Sequence, residues 1–107
     1  MTSSETLKQR VEELWQKHLP LMLLRIDVLK RAIEALHSGP IPDDLKMLAI
    51  AEAHKLAGSL GTFGLESVSG SALRIEQLLR EETITVEDKE NEISQHLHLL
   101  KQAIAGR

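Results

Sequence analysis

The chain has 107 residues, a formal net charge of −3, no cysteine and only two aromatic residues, one Trp and one Phe. This length predicts one domain over residues 1–107, the lack of cysteine excludes disulfides and thiolate metal sites, and the slight acidic balance gives no support for nucleic-acid binding. The apolar residues never form the run of about 20 that a membrane span needs, and the first residues lack the apolar core of a signal peptide. We therefore expect a cytoplasmic, all-α domain, since helix formers dominate the composition.

Apolar spacing and the positions of Pro and Gly predict five amphipathic helices. The first begins near Thr2, where Thr2 and Glu5 fit a capping box. Pro20 either ends this helix or opens the second one in its first turn. The second helix runs to about His37, before Gly39 and two prolines that form a stiff connector.

The remaining three helices follow the same pattern of one apolar stripe per helix and a short connection to the next. They are expected near residues 43–61, over residues 65–80, and from Thr85, where Asp88 completes a capping box. Such a pattern is typical of an up-and-down antiparallel four-helix bundle. We predict this bundle from Pro20 onward, with the additional N-terminal helix packed across one end or along one side.

The third helix departs from the pattern because a second side of it is also weakly apolar. Its ordinary core stripe consists of Leu45, Ala49, Ala53, Leu56 and Leu60. The opposite face is centred on one histidine and consists of Met47, Ile50, Ala51, His54, Ala57, Gly58 and Gly61. Two interpretations are open: His54 is a core histidine with a hydrogen-bond partner, or this face docks another protein. Gly58 lies one turn after His54 and fits close approach of either a neighbouring helix or a partner.

The residues after His54 form a motif with defined spacing. An apolar residue follows two positions later, a glycine four later, a small polar residue next, and another glycine ten after the histidine, where the following helix opens. This motif resembles the signature of histidine-containing phosphotransfer (Hpt) domains, and the resemblance extends over nearly the whole chain. The matching residues are His54, Leu56, Gly58, Ser59 and Gly64.

The resemblance implies a phosphorelay intermediate of two-component signalling, in which His54 is the exposed phospho-accepting residue. It would accept a phosphoryl group from the phospho-aspartate of a receiver domain or hybrid kinase and pass it to another receiver domain. The implied partners are response-regulator receiver domains and a sensor or hybrid histidine kinase. Such a chain is a phosphocarrier and a substrate of its partners, not an enzyme. We expect Mg²⁺ to come from the receiver domain, because phosphoryl transfer needs charge neutralisation and this sequence has no evident Mg²⁺-binding carboxylate cluster.

Helper residues around His54 are also implied by the resemblance. Many family members have a Lys three residues after the histidine, but Ala57 stands there. Lys55 leaves the helix about 100° away from His54 and is a weaker candidate for offsetting the phosphate charge. The family places a Gln or Glu on the following helix, which corresponds to Glu76, or to Gln77 if the turn is shifted by one. That side chain would hold Nδ1 and leave Nε2 free. The predicted docking residues are Met47, Ile50, Ala51, Ala57, Gly58 and Gly61.

Three other functions compete with phosphotransfer as interpretations of this sequence. An interaction module that docks receiver or kinase domains without carrying phosphate would use the same face. A metal-binding bundle is not expected, because His96 and His98 point to different sides of a helix, and His18 and His37 lie near helix ends, where they commonly bond terminal carbonyls. An enzyme with its own active site is not expected either, since no nucleophile–base pair or phosphate-binding loop is evident.

Overall fold

The computed structural model of the chain describes residues 3–82 and 84–107, with side chains from residue 5 onward. It contains four α-helices: α1 (Ser3–Ser38), α2 (Asp43–Thr62), α3 (Glu66–Arg80) and α4 (Val86–Ala105). No strand occurs in the described ranges, so the all-α prediction is confirmed. The predicted capping residue Thr2 lies outside the described residues. No helix in this part of the chain is long and apolar enough to cross a membrane.

The four helices pack in a ring, because each contacts the helix that follows it in the chain and α4 contacts α1. Short connections at residues 39–42, 63–65 and 81–85 join successive helices, as expected for a helical bundle of antiparallel neighbours. The core between them is aliphatic. Its largest fully buried side chains, apart from Trp15 at the N-terminal side, are Met22, Leu29, Leu56, Leu60, Ile75, Leu78, Leu79, Ile93 and Leu100.

The prediction of an additional N-terminal helix is not confirmed, because its residues form the first half of α1, with Pro20 inside the helix. Proline in a helix interior lacks an N–H donor and costs about 3 kcal/mol. Trp15 and Met22 lie on either side of Pro20, and both are buried in the core. Each buried side chain of this size contributes about 1.5–3 kcal/mol. An uninterrupted helix keeps both on one face, and their burial offsets the cost of the proline.

The N-terminal half of α1 is held to the rest of the molecule by aromatic contacts. The rings of Trp15 and Phe63 meet edge to face with their centroids 5.3 Å apart. The Arg107 guanidinium lies 4.4 Å above the Trp15 ring and is 3.2 Å from Glu12. These contacts join the N-terminal half of α1 to the end of α2 and to the C-terminus.

Two residues at helix ends, Thr85 and Gly64, have the local structure that the sequence predicts. Thr85 caps α4, since its hydroxyl accepts a hydrogen bond from the backbone N–H of Asp88 at 3.2 Å. Gly64 has a φ of +78°, in the left-handed region that glycine adopts without strain. This residue ends α2 and turns the chain into α3, and it thereby fixes the angle at which α3 lies beside the histidine-bearing helix.

Candidate functional site

His54 lies on α2 with its imidazole at the molecular surface. The flanking residue Ala53 and the nearby Leu56 are fully buried and anchor this part of α2 in the core. The His54 side chain is 71% exposed. The interpretation of His54 as a core histidine is therefore wrong, and the imidazole is open to a molecule approaching from outside.

Glu76 on α3 contacts the imidazole. Its Oε1 lies 2.8 Å from Nδ1 of His54, and its side chain is 15% exposed. The second carboxylate oxygen, Oε2, is 3.4 Å from Nη2 of Arg80, one helical turn further along α3. Because a carboxylate only accepts hydrogen bonds, Nδ1 carries the proton that is donated to it. Nε2 then keeps its lone pair and has no hydrogen-bond partner among the described residues.

The structure decides between the two residues considered for this contact. Glu76 contacts the imidazole, whereas Gln77 accepts a hydrogen bond from Arg74 at 3.4 Å. A one-residue shift of the turn before α3 would have exchanged them. The turn at Gly64 has the length that brings the carboxylate, and not the amide, beside His54.

The predicted docking face is mostly at the surface. Five of its six residues are exposed or half-buried: Met47, Ile50, Ala51, Gly58 and Gly61. Ala57 is only 4% exposed, and its carbonyl oxygen accepts a hydrogen bond from Ser69 of α3 at 2.8 Å. The assignment of Ala57 to the docking face is therefore wrong, because α3 covers that side of α2.

Gly58 adjoins His54 on the side away from α3. A Cβ built at this position would have no described atom within 4 Å, and the backbone is not in the left-handed region. Packing within the chain therefore does not require a glycine here, although glycine costs about 1 kcal/mol relative to alanine in a helix. The observation excludes a close helix–helix contact inside the molecule and favours access from outside.

A shallow groove surrounds His54 on the surface between α2 and α3. One side of it is apolar, with Met47 and Ile50, and the other is polar, with Glu76 and Arg80. Lys55 borders the same groove. An apolar shelf beside an oriented, open ring nitrogen suits docking of another protein followed by transfer of a group to or from Nε2.

Two cations lie near the imidazole. Lys55, predicted as a weak candidate, is exposed, and its Nζ lies 3.6 Å from Oε1 of Glu52. Arg80, which the sequence reasoning missed, is bound to the carboxylate that holds His54. Its spacing of four residues from Glu76 on the same helix is the signal that would have found it. Both side chains are long and reach the edge of the His54 groove, so either side chain can move toward a bound anion.

A second histidine has the same pairing in different surroundings. His37 near the end of α1 places Nδ1 2.8 Å from Oε1 of Glu90, and its side chain is 77% exposed. The expectation that it bonds terminal carbonyls is therefore wrong. His37 lies at the helix end, without the small-residue face that surrounds His54. The pair of imidazole and carboxylate is thus not sufficient to define the site, and the face around it distinguishes His54.

The chain matches the family described as Hpt domain over residues 2–106. Comparisons with curated proteins and with solved structures give no match. Within residues 3–82 and 84–107, no group of three or more His, Asp or Glu residues is placed to hold a metal ion. The family match extends over nearly the whole chain, including the helix of His54 and the two helices that follow it. The chain therefore belongs to the histidine-containing phosphotransfer (Hpt) domain family.

Proposed function

We propose that this chain accepts a phosphoryl group on His54 from the phospho-aspartate of a receiver domain or hybrid kinase and passes it to another receiver domain. Family membership gives the chain a histidine phosphotransfer role in two-component phosphorelay. The observation that supports His54 as the acceptor is its exposed imidazole, whose Nδ1 is held by Glu76 at 2.8 Å while Nε2 is open.

The proposed step is an in-line displacement at phosphorus. The lone pair of His54 Nε2 attacks the phosphorus of the aspartyl phosphate, and the Nε2–P bond forms as the bond to the aspartate oxygen breaks. The aspartate leaves as a carboxylate with that electron pair. Positive charge develops on the imidazole, and Glu76 stabilises it through the Nδ1–H bond. Onward transfer is the reverse step with a second receiver aspartate.

Charge around the phosphoryl group has to be offset for this step. Lys55 and Arg80 border the His54 groove, and we expect their long side chains to reach a phosphate on Nε2. We expect Mg²⁺ to be supplied by the acidic site of the receiver partner. The chain then acts as a phosphocarrier that its partners use as a substrate.

A transfer assay tests the proposal. Receiver domains carrying radiolabelled phosphate are mixed with the wild-type chain, with His54→Gln and with His37→Gln, and the label on each protein is followed. Wild type and His37→Gln should gain acid-labile label from at least one receiver, and His54→Gln should gain none. His37→Gln is the matched control, because it removes an equally exposed imidazole with the same carboxylate contact. Label on the His54→Gln chain would refute the proposal.

The alternative is a helical interaction module that docks receiver or kinase domains without carrying phosphate. The exposed face around His54 would serve both functions. Membership of the Hpt domain family favours the carrier. The carboxylate contact agrees with it, since orientation of Nε2 serves chemistry at that atom and is not needed for docking, but His37 has the same contact and the contact alone does not decide. Binding of a receiver domain by wild type without any label on His54 would favour the module.

A further inference from the structure

One carboxylate on α2 has a cation at each of its two oxygens. Oε2 of Glu52 accepts a hydrogen bond from Nε of Arg25 on α1 at 3.2 Å, and Oε1 lies 3.6 Å from Nζ of Lys55. Glu52 is thus shared between a cation of the neighbouring helix and the cation that directly follows His54 in the chain. The position of positive charge near His54 is therefore linked to the contact between α1 and α2.

The two cations are held unequally. The Arg25 side chain is 12% exposed, and it donates a second hydrogen bond from Nη1 to Oγ of Ser59 at 3.0 Å. The Lys55 side chain is 56% exposed, and its 3.6 Å contact with Glu52 is longer than a charge-assisted hydrogen bond of about 2.7–2.9 Å. Arg25 therefore stays at the carboxylate, whereas Lys55 can leave it easily, because exposed ion pairs are weak.

Lys55 lies between two surface grooves. It borders the groove around His54 and also a groove between α1 and α2, which Arg25 and Ser59 line. The ammonium of Lys55 thus has two places to go, the Glu52 carboxylate on one side and the His54 groove on the other. A phosphoryl group on Nε2 would attract the ammonium into the His54 groove, since it carries negative charge on its oxygens. Glu52 and that phosphoryl group therefore compete for the same cation.

We propose that Glu52 is a positioning residue that holds the Lys55 ammonium away from the phosphoryl group on His54. Arg25 limits this hold, because its guanidinium offsets the charge of the Glu52 carboxylate. The inference rests on the proposed function in one respect, since it needs a phosphoryl group on His54. Loss of Glu52 releases Lys55, whereas loss of Arg25 leaves a bare carboxylate that holds Lys55 more strongly. The two losses should therefore change the lifetime of the phosphohistidine in opposite directions.

The lifetime of the phosphohistidine depends on positive charge at the phosphoryl oxygens. In hydrolysis the Nε2–P bond breaks and its electron pair returns to Nε2, while the oxygen of a water molecule bonds to phosphorus and the water loses a proton to solvent. Electron density moves from the phosphoryl group to the imidazole in the loose transition state. A cation at the phosphoryl oxygens therefore stabilises the phosphorylated chain more than the transition state. An ammonium of Lys55 that reaches these oxygens lengthens the lifetime.

Phosphoramidate loads His54 without a partner protein, since its P–N bond breaks with loss of ammonia as the Nε2–P bond forms. The reagent is then removed, and the phosphohistidine is followed by ³¹P NMR at neutral pH and below the unfolding transition of each variant. The signal of phosphorylated His54 is identified by its absence in His54→Gln. Glu52→Gln should lengthen the half-life about two- to fivefold, the range that one exposed ion pair supplies. Arg25→Gln should shorten it toward the half-life of Lys55→Gln.

Further variants show whether Lys55 carries both effects. In a Lys55→Gln background, neither Glu52→Gln nor Arg25→Gln should change the half-life further. Arg25→Lys should restore most of the wild-type half-life, because it keeps the positive charge beside the carboxylate. Asp27→Asn is the matched control. It removes the same charge from an exposed ion pair with Arg31 within α1, and it should leave the half-life unchanged.

Three results would overturn the inference while the proposed function stands. A wild-type half-life for Lys55→Gln would do so, and this exposed substitution leaves the pair of Arg25 and Glu52 intact. Changes of the same sign for Glu52→Gln and Arg25→Gln would point to a purely structural pair. Changes that persist in the Lys55→Gln background would show that the two charges act on the phosphoryl group directly. Failure of both phosphoramidate and receiver domains to phosphorylate His54 would instead contradict the proposed function, and this inference with it.

Discussion

We expect the Gly58→Ala substitution to stabilise the chain and at the same time to slow phosphotransfer. Gly58 lies inside α2, one turn before its end at Thr62, its backbone is helical, and a Cβ there meets no described atom within 4 Å. Alanine therefore fits without strain and gains about 1 kcal/mol of helix propensity. For a domain of this size that gain corresponds to a rise in melting temperature of about 4–8 °C.

The same methyl group extends into the space beside His54 that a receiver domain would occupy. Gly58→Ala should lower kcat/KM for transfer from a phosphorylated receiver severalfold. Gly58→Leu should lower it by about tenfold or more, which corresponds to about 1.4 kcal/mol of lost transition-state stabilisation. Stopped-flow or rapid-quench transfer measures the rate, and thermal unfolding followed by circular dichroism measures the stability.

Gly70 provides a matched control on α3. It is also an exposed helical glycine at which a Cβ would meet no described atom within 4 Å. Gly70→Ala should raise the melting temperature by a similar amount and leave transfer unchanged. Wild-type transfer by Gly58→Leu would refute the reasoning, since it would show that no partner approaches this side of His54. A fall in the stability of Gly58→Ala would show that packing, and not access, requires the glycine.

Three further predictions concern the imidazole, the long first helix and the response to acid. Glu76→Ala should slow transfer about 10- to 100-fold, by analogy with carboxylates that orient ligating histidines. It should also give a mixture of the two His54 tautomers in ¹⁵N NMR spectra. The control Glu90→Ala, which removes the carboxylate beside His37, should change neither the transfer rate nor the His54 tautomer. Pro20→Ala should raise the free energy of unfolding by about 1–3 kcal/mol in denaturant titrations, and no gain would contradict a continuous α1. The hydrogen bond from Arg74 lowers the pKa of Glu92 in the folded chain. A carboxyl whose pKa is lowered by folding stabilises the fold at pH values above its ordinary pKa of about 4.3. This stabilisation is lost as the pH falls through the lowered pKa. Arg74→Gln should therefore flatten the acid side of the stability profile, and an unchanged profile would show that the pair contributes nothing.

The sequence by itself determined the features that depend on residues close together along the chain. Apolar periodicity predicted helices throughout, since one buried stripe per turn is a local property. Thr85 and Gly64 marked helix ends because a cap and a left-handed residue act within a single turn. The spacing around His54 identified the family, and a fixed count along an ungapped segment found Glu76.

Only the tertiary structure decided which sides of these helices are covered. Pro20 was expected to separate two helices, but burial of Trp15 and Met22 on one face outweighs the local cost of the proline. A helical wheel placed Ala57 on the docking face, although α3 lies over it. The angular position of a residue around its own helix follows from the sequence. Whether a neighbouring helix covers that residue depends on where the other helices pack. For that reason the open surface at Gly58 became evident only in the folded chain.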